Sequence, residues 1–273
     1  MKVTLTRNFQ YLMLIAAAIV IAFPFVWMVL TSFRPETEIV HFPPTLLPSK
    51  MILDSYIHVW SRIPFLVFFK NSVIFSFSVT LISLLFDSMA GYAFARLSFR
   101  GRNKLFLLVL VALMIPVQVT IIPLFIMLSH LGWLNTFVGL IVPRATNAFG
   151  IFMLRQFLVG LPKELDEAAR IDGCSEFRLY WQIILPLAKP AIASLALFHL
   201  MYNWNDLLWP LIITSTEDMR TLPAGLALFM GQHVVEYGVL TAGAAIATAP
   251  LVIAFLFAQK YFIQGVAFTG MKE

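Results

Sequence analysis

From Tyr11 to Phe33 the chain runs for 23 residues without a charged side chain. A helix needs about 20 apolar residues to cross the hydrocarbon core of a bilayer, and inside that core it must satisfy its own backbone hydrogen bonds. Comparable stretches recur at 68–94, 104–128, 136–157, 188–214 and 239–261. The pattern predicts an all-α membrane protein of six transmembrane helices, built as one domain over residues 1–273. Composition agrees. Of the residues, 60% are hydrophobic and 26 are phenylalanine, more apolar surface than a soluble domain of this length can bury. A cleaved signal peptide is the rival reading of the first run, supported by Ala16-Ala17-Ala18. The run continues well past those alanines, which favours a retained span.

The loops give an orientation. Lys2, Arg7, Arg96, Arg100, Arg102, Lys104, Arg155, Lys163, Arg170, Arg178, Lys189, Lys260 and Lys272 fall on one side, and Arg34, Lys50, Arg62 and Arg220 on the other, 13 against 4. Basic loops mark the cytoplasmic face, so both termini and the 158–187 loop are expected there. This bias accounts for the net charge of +5 without nucleic acid. Residues 34–66 form a proline-rich extracytoplasmic loop with a short helix expected near Asp54 to Trp60. Pro116 and Pro123 interrupt the third span, which is tolerated where neighbours or water satisfy the freed carbonyls.

Between two very apolar stretches lies a polar island from Leu161 to Pro190. It holds Lys163, Glu164, Asp166, Glu167, Arg170, Asp172, Glu176 and Arg178 in a chain with only 12% charged residues. Pro162 suits the first position of a helix, and Glu164, Asp166 and Glu167 follow near its positive end. Asp166 and Arg170 stand four apart in the favourable acid-before-base order. Leu165, Ala168 and Ala169 fall on one face, flat enough to enter a groove. Gly173 is a C-terminal stop, and a second helix is predicted from Ser175 to Ile184, until Pro186 and Pro190 break it. The island reads as helix, Gly turn, helix along the membrane surface, facing water and a partner protein.

Glu167, Ala168, Ala169, then Gly173, then Ile183, Leu185 and Pro186 match the EAA loop of ABC importer permeases at every signature position and in spacing. Leu161-Pro162 ahead of the loop, Ala168-Ala169-Arg170-Ile171-Asp172-Gly173 within it, and Trp204-Asn205-Asp206 with Trp209-Pro210 after it resemble the sugar-type branch, which includes maltose-like and glycerol-3-phosphate importers. The resemblance extends over nearly the whole chain. It implies a type I importer permease, with Glu167, Ala168, Ala169, Arg170, Asp172, Gly173, Ile183, Leu185 and Pro186 coupling the subunit to its motor. It further implies a second homologous permease, two cytoplasmic ABC ATPases, an extracytoplasmic binding protein and a carbohydrate substrate. ATP and Mg would be used by the ATPase, with no cofactor bound by this chain. The tail from Gln264 to Gly270 looks like the short C-terminus that in this family reaches the ATPase interface. Met271-Lys272-Glu273 depart from the usual ending.

The chain has no phosphate-cradling glycine loop and no paired catalytic carboxylates, HExxH or nucleophile elbow, so an enzyme is not expected. Cys174 is the single cysteine, which excludes an internal disulfide and a multi-cysteine metal site. In the fifth span Asn203, Trp204, Asn205 and Asp206 interrupt an apolar run, with Trp209 just beyond. Polar groups at that depth are costly and face a cavity or a protein partner. Amides and a carboxylate beside indole rings suit a hydroxyl-rich ligand. The alternative is that they shape the helix and bond across a subunit interface. Gln118, Asn147, Asn71 and Arg144 are further pathway candidates. Glycerol 3-phosphate or a polyol is the alternative substrate, and an ion-coupled carrier using Asp87 or Asp206 is the alternative mechanism.

Overall fold

The computed structural model describes residues 2–43, 45, 47–62, 64–232 and 236–270, and no strand occurs among them. In chain order the α-helices are α1 (Lys2–Ser32), α2 (Glu36–Ile39), α3 (Asp54–Arg62), α4 (Phe65–Arg96), α5 (Arg102–Met114), α6 (Val117–His130), α7 (Phe137–Ile141) and α8 (Ala148–Val159). They continue as α9 (Glu164–Ile171), α10 (Glu176–Leu179), α11 (Leu185–Leu187), α12 (Lys189–Trp204), α13 (Leu208–Ile213), α14 (Leu222–Gln232) and α15 (Tyr237–Gly270). Residues Met271, Lys272 and Glu273 of the expected tail lie outside the described residues.

Four segments are long and apolar enough to cross a membrane: Arg7–Ser32, Phe65–Arg96, Phe137–Val159 and Tyr237–Phe257. Two bent pairs raise the number to six among the described residues. The third predicted span is one of them. It breaks at Ile115 and Pro116 into α5 and α6, which are bent by 99°. Pro116 has no N–H to continue the helix and pushes Ile115 to an extended ψ of 117°, as the residue before a proline requires. Pro123, in contrast, sits inside α6 without ending it. The fifth predicted span also divides, into α12 and α13, with Asn205 to Leu207 between them.

The chain forms two compact units. The first comprises Met1–Leu66 and Leu226–Pro250. From Arg7 to Val26 the side chains of α1 are exposed, as expected of a helix that faces lipid. Here Glu36 accepts the backbone N–H groups of Tyr237 and Gly238, each at 2.9 Å. A carboxylate thus caps the positive end of α15. A Cβ on Gly238 would lie 2.5 Å from Ser55 Oγ, so this close approach needs glycine.

The second unit comprises Val67–Gly225 and Leu251–Glu273. Its axis is α4, which buries a stripe of small polar residues: Ser72, Ser76, Thr80, Ser83, Asp87 and Ser88. Small side chains let helix backbones approach closely in a membrane. At Gly91 the approach to α8 is tight, since a Cβ there would lie 3.0 Å from Leu154 Cβ. Ser76 and Thr80 return their hydroxyls to the backbone carbonyls of Ser72 and Ser76, so these polar groups are not left bare in an apolar setting. Asn71 donates to the carbonyls of Asp218 and Arg220. It fastens the loop ahead of α14.

Candidate functional site

The polar island folds as α9, a tight turn, α10 and a five-residue π-helical segment from Tyr180 to Ile184 that runs into α11. The helix starts two residues later than Pro162 predicts, at Glu164, with the Lys163 carbonyl accepting its first bonds from the Asp166 and Glu167 N–H groups. At its end the Cys174 N–H reaches the Ala169 carbonyl at 2.9 Å and the Gly173 N–H reaches Arg170 at 3.1 Å. This is the paired closure of a Schellman motif. Gly173 has a φ of +76° with nothing within 4 Å of a hypothetical Cβ. Glycine is needed there for conformation, not for space. Ser175 then caps α10 by accepting the Arg178 N–H. Pro186 does not break the chain as expected. The wider π turn lies directly ahead of it, where the missing proline N–H leaves the Gln182 carbonyl without its helical donor. The bend comes at Ala188, where the two helical segments meet at 80°.

The expected Asp166–Arg170 pair does not form. Asp166 is buried and pairs with Arg96, at the end of α4, at 3.1 Å. The same guanidinium donates to the carbonyls of Leu158 at 2.7 Å, Leu161 at 2.8 Å and Pro162 at 3.3 Å. One arginine thus closes the C-terminal end of α8 and fastens α9 to α4, a use of its rigid fork of donors that lysine cannot copy. Arg170 reaches Glu176 across the Gly turn instead, at 2.9 Å, and Tyr92 of α4 donates to the other Glu176 oxygen at 2.9 Å. The Arg170 hydrogen bond holds the Glu176 carboxyl below the usual carboxylate range, with Tyr92 adding to it against the opposing effect of burial. Ser88 and Tyr180 share a hydroxyl contact at 2.7 Å. Sequence reasoning missed Arg96, Tyr92 and Ser88. Only the last-turn position of Arg96, where a cation suits a helix C-terminus, hinted at a role.

The residues assigned to motor coupling therefore divide into two faces. Ala169 is buried with Tyr92, Leu158, Leu179, Tyr180, Ile184 and Ala188, and Ile183 and Leu185 pack on the same cluster. These hold the loop to its own subunit, so Ala169 is not part of the groove-entering face that the sequence suggested. Glu167, Ala168, Arg170, Asp172, Gly173 and Pro186 are exposed. Beside them stand Ile171, which is 85% exposed, Phe177 and Trp181, an apolar fringe unusual on a water-facing surface.

A second constellation lies along α4. Asp87 is fully buried. Its Oδ1 accepts from Thr146 Oγ1 at 2.7 Å and from the Asn147 N–H at 2.9 Å, and its Oδ2 accepts from His199 Nε2 at 3.1 Å. A Cβ on Gly150 would fall within this carboxylate. The junction joins α4, the start of α8 and α12. Nearby, Arg144 pairs with Asp206 and lies over the rings of Tyr202 and Trp209, at 5.4 and 5.5 Å from their centroids. Asp206 Oδ1 also accepts the Trp209 N–H, which anchors the break between α12 and α13.

Arg144, Thr146, His199 and Tyr202 border a cavity of about 180 Å³ that Asn147, Asn203 and Trp209 also line. The other sequence candidates lie elsewhere. Trp204 is buried edge-on against Phe69. Asn205 is exposed and returns its amide to the Met201 carbonyl. Gln118 is exposed, while α6 presents Val117, Thr120, Ile121 and Leu124 to the cavity. Trp209 lines the cavity and gives its indole N–H to the Leu140 carbonyl. Tyr202, half exposed, supplies the accessible aromatic face.

Membrane-crossing helices, a cytoplasm-type charged loop clamped to the second span and a polar cavity within the bundle define a transport permease. The chain belongs to the family of binding-protein-dependent transport system inner membrane components, which it matches over residues 87–268. It is a multi-pass inner-membrane subunit of an importer that works with a binding protein and an ATPase. It is 41% identical to the arabinooligosaccharides transport system permease protein AraQ of Halalkalibacterium halodurans, over 98% of this chain and 95% of that one. To the trehalose/maltose transport system permease protein MalG of Thermococcus litoralis it is 37% identical, over 94% of each. To the sn-glycerol-3-phosphate transport system permease protein UgpE of Yersinia enterocolitica it is 32% identical, over 94% of each. The fold is that of a type I ABC importer permease. A crystal structure of a bacterial ABC transporter involved in the import of the acidic polysaccharide alginate matches with a TM-score of 0.84, at 23% identity, over 95% of this chain and 97% of that one.

Proposed function

We propose that this chain is one of two similar but non-identical permeases of a carbohydrate importer, and that the α9 loop is where a cytoplasmic ABC ATPase drives it. The observation that carries the reading is the two-faced loop. Arg96 and the Ala169 cluster fix its inner face to α4, while Glu167, Ala168 and Ile171 are bare on the outer face. A rigid body with one free face transmits a push. ATP and Mg are used by the two ATPase subunits. Closure of the ATPases moves α9, and with it α4, toward the outward-facing state, in which the binding protein delivers its sugar. Hydrolysis resets the pore, a two-state equilibrium biased from both ends. The 13-to-4 charge bias supports a topology with both termini in the cytoplasm with the loop.

Relatives named for arabinooligosaccharides, trehalose and maltose, and lactose support a saccharide. The relative named for sn-glycerol 3-phosphate keeps a phosphate substrate as the second reading. An ion-coupled carrier has less support, since both Asp87 oxygens are engaged by donors and Asp206 is paired with Arg144. The test is uptake in proteoliposomes that contain the full importer and its binding protein. Gly173→Pro cannot adopt the required positive φ, so ATP-driven uptake should vanish while the protein remains inserted. Normal uptake by an inserted Gly173→Pro protein would remove the docking role.

A further inference from the structure

The short helix α3 presents three different faces. The Leu53 carbonyl accepts the Ile57 N–H at 3.1 Å, so Leu53 already keeps the helical register. Ser55 and Val59 are buried. Ser55 meets the start of α15, where a Cβ on Gly238 would come within 2.5 Å of its Oγ. Asp54 and Ser61 are exposed and His58 is half-buried. At 3.6 residues per turn these three polar residues fall within an arc of about 60°. Leu53, Ile57 and Trp60 fill a second arc of about 60°, and they are 60%, 60% and 51% exposed. An aliphatic and aromatic stripe this open is foreign to a helix that faces only water on its free side.

The membrane-crossing segments before and after α3 fix where this stripe lies. Tyr56 shares a hydroxyl contact with Ser32 at 2.9 Å, and its ring lies 5.1 Å from that of Phe33. Ser32 is the last residue of the span Arg7–Ser32. Trp60 meets Phe65 edge-on, with ring centroids 5.0 Å apart, and Phe65 opens the span Phe65–Arg96. A helix held to the end of one span and to the beginning of the next lies at the level where both leave the bilayer. Around the helix axis, Tyr56 stands about 170° from the centre of the Asp54–His58–Ser61 arc. The side that meets the end of α1 is therefore the membrane side, and the polar arc is the water side. The Leu53–Ile57–Trp60 stripe lies between the two, on the flank away from Ser55 and Val59. Tryptophan is enriched at this depth, where an amphipathic ring meets the headgroups.

We propose that α3 is an interfacial anchor, with Leu53, Ile57 and Trp60 seated in the boundary between phospholipid headgroups and acyl chains. An amphipathic helix lying in the plane of a bilayer buries its apolar face there by about 5–10 Å. The stripe carries no charged group, and its one polar atom is the indole nitrogen of Trp60. That is the chemistry of a lipid contact, while Asp54 and Ser61 stay in water. The anchor holds the segment between the first two spans level with the bilayer surface. It goes beyond the transport reading and is independent of the substrate.

The test uses the complete importer in nanodiscs of phosphatidylethanolamine and phosphatidylglycerol. In a Cys174→Ser background, one nitroxide label is attached to Leu53→Cys, Ile57→Cys or Trp60→Cys, and to Asp54→Cys or Ser61→Cys for comparison. Relaxation of the label by oxygen, which concentrates in lipid, is compared with relaxation by a water-soluble nickel chelate. Oxygen should prevail at positions 53, 57 and 60, and the nickel chelate at 54 and 61. Nickel prevailing at 53 or 57 would overturn the proposal, because the stripe would then lie in water. Exclusion of both agents from 53 or 57 would overturn it too, because a protein such as the second permease would then cover the stripe. Adding the binding protein should leave the labels at 53 and 57 unchanged. Loss of oxygen access there on its addition would assign the face to that protein instead. Leu53 and Ile57 take no part in the Ser32 and Phe65 contacts, so these two positions decide the matter even where Trp60→Cys disturbs packing. ATP hydrolysis by each labelled complex shows that it has assembled.

Discussion

The two polar constellations of the second unit both hang on α4, yet they are built in opposite senses. At its Arg96 end, buried bonds tie the α9 loop down on one face and leave the other face bare. Around Asp87 and Arg144 the polar groups turn inward, on a cavity. The first arrangement is suited to being pushed by a partner, the second to receiving a small ligand. Because Tyr92 and Arg96 lie on the same helix as Asp87, a displacement of the loop is felt by the helix that walls the cavity. In the proposed function, that shared helix links the motor to the cavity.

The sharpest way to break the contrast is at Arg96. Replacement by methionine leaves the Asp166 carboxylate buried and unpaired and frees three carbonyls, a loss of about 3–5 kcal/mol for the broken pair. The loop should become sensitive to limited proteolysis and ATP-driven uptake should fall away. Arg96→Lys should not restore it, because an ammonium cannot span the Asp166 oxygen and the carbonyls together. At the inward constellation, Asp87→Ala strips the acceptor from Thr146, Asn147 and His199. We expect a loss of about 3 kcal/mol, read as a lower unfolding temperature in detergent with the loop's protease resistance intact. Equal damage to the loop would mean that the two constellations are not separate.

Smaller substitutions sharpen the picture. Gly173→Val meets no neighbour but must hold a positive φ, at about 1–2 kcal/mol. It should reduce uptake partially, where Gly173→Pro abolishes it. The smallest effect belongs to Glu176. The Arg170–Glu176 pair is nearly half exposed, so Glu176→Gln should cost less than about 1 kcal/mol after solvent screening. Its pH dependence has a defined sign. A carboxyl whose folded pKa is depressed contributes stability that is present above its unfolded value of about 4.3. The contribution is lost as pH falls through the lower folded value. Native and Glu176→Gln proteins should therefore differ in denaturation midpoint at pH 7 and converge in acid.

Much of the loop was legible because its chemistry is local. Pro162, the acids that follow it, Gly173 and Ser175 are consecutive signals, and they placed α9, the turn and the start of α10 to within two residues, but not the π-helical segment that replaces α10 after Leu179. What the sequence hid were the tertiary partners. Asp166 has a suitable arginine four residues on and uses instead one that lies 70 residues away. Burial reversed the expected local pair: Arg96 donates to Asp166 and to three carbonyls at once, while Arg170 pairs with Glu176. Ala168 and Ala169 look alike in sequence, and only packing separates the free one from the buried one. The cavity was less legible still. Its lining comes from Val79, from α6, from the Pro143–Asn147 segment and from α12 and α13, so no single stretch carries its pattern. Of the two tryptophans that drew attention in the sequence, Trp204 packs against Phe69 while Trp209 lines the cavity beside Tyr202 and His199.

The account stands or falls on the difference between adjacent alanines. With Cys174 replaced by serine, a single cysteine is placed at Ala168 or at Ala169, in the full importer with a groove cysteine on the ATPase. The account predicts an ATP-sensitive cross-link to the ATPase from position 168 and none from position 169, with α9 still fastened through Arg96. Cross-linking from 169 equal to that from 168, or none from 168 in a correctly inserted protein, would contradict it.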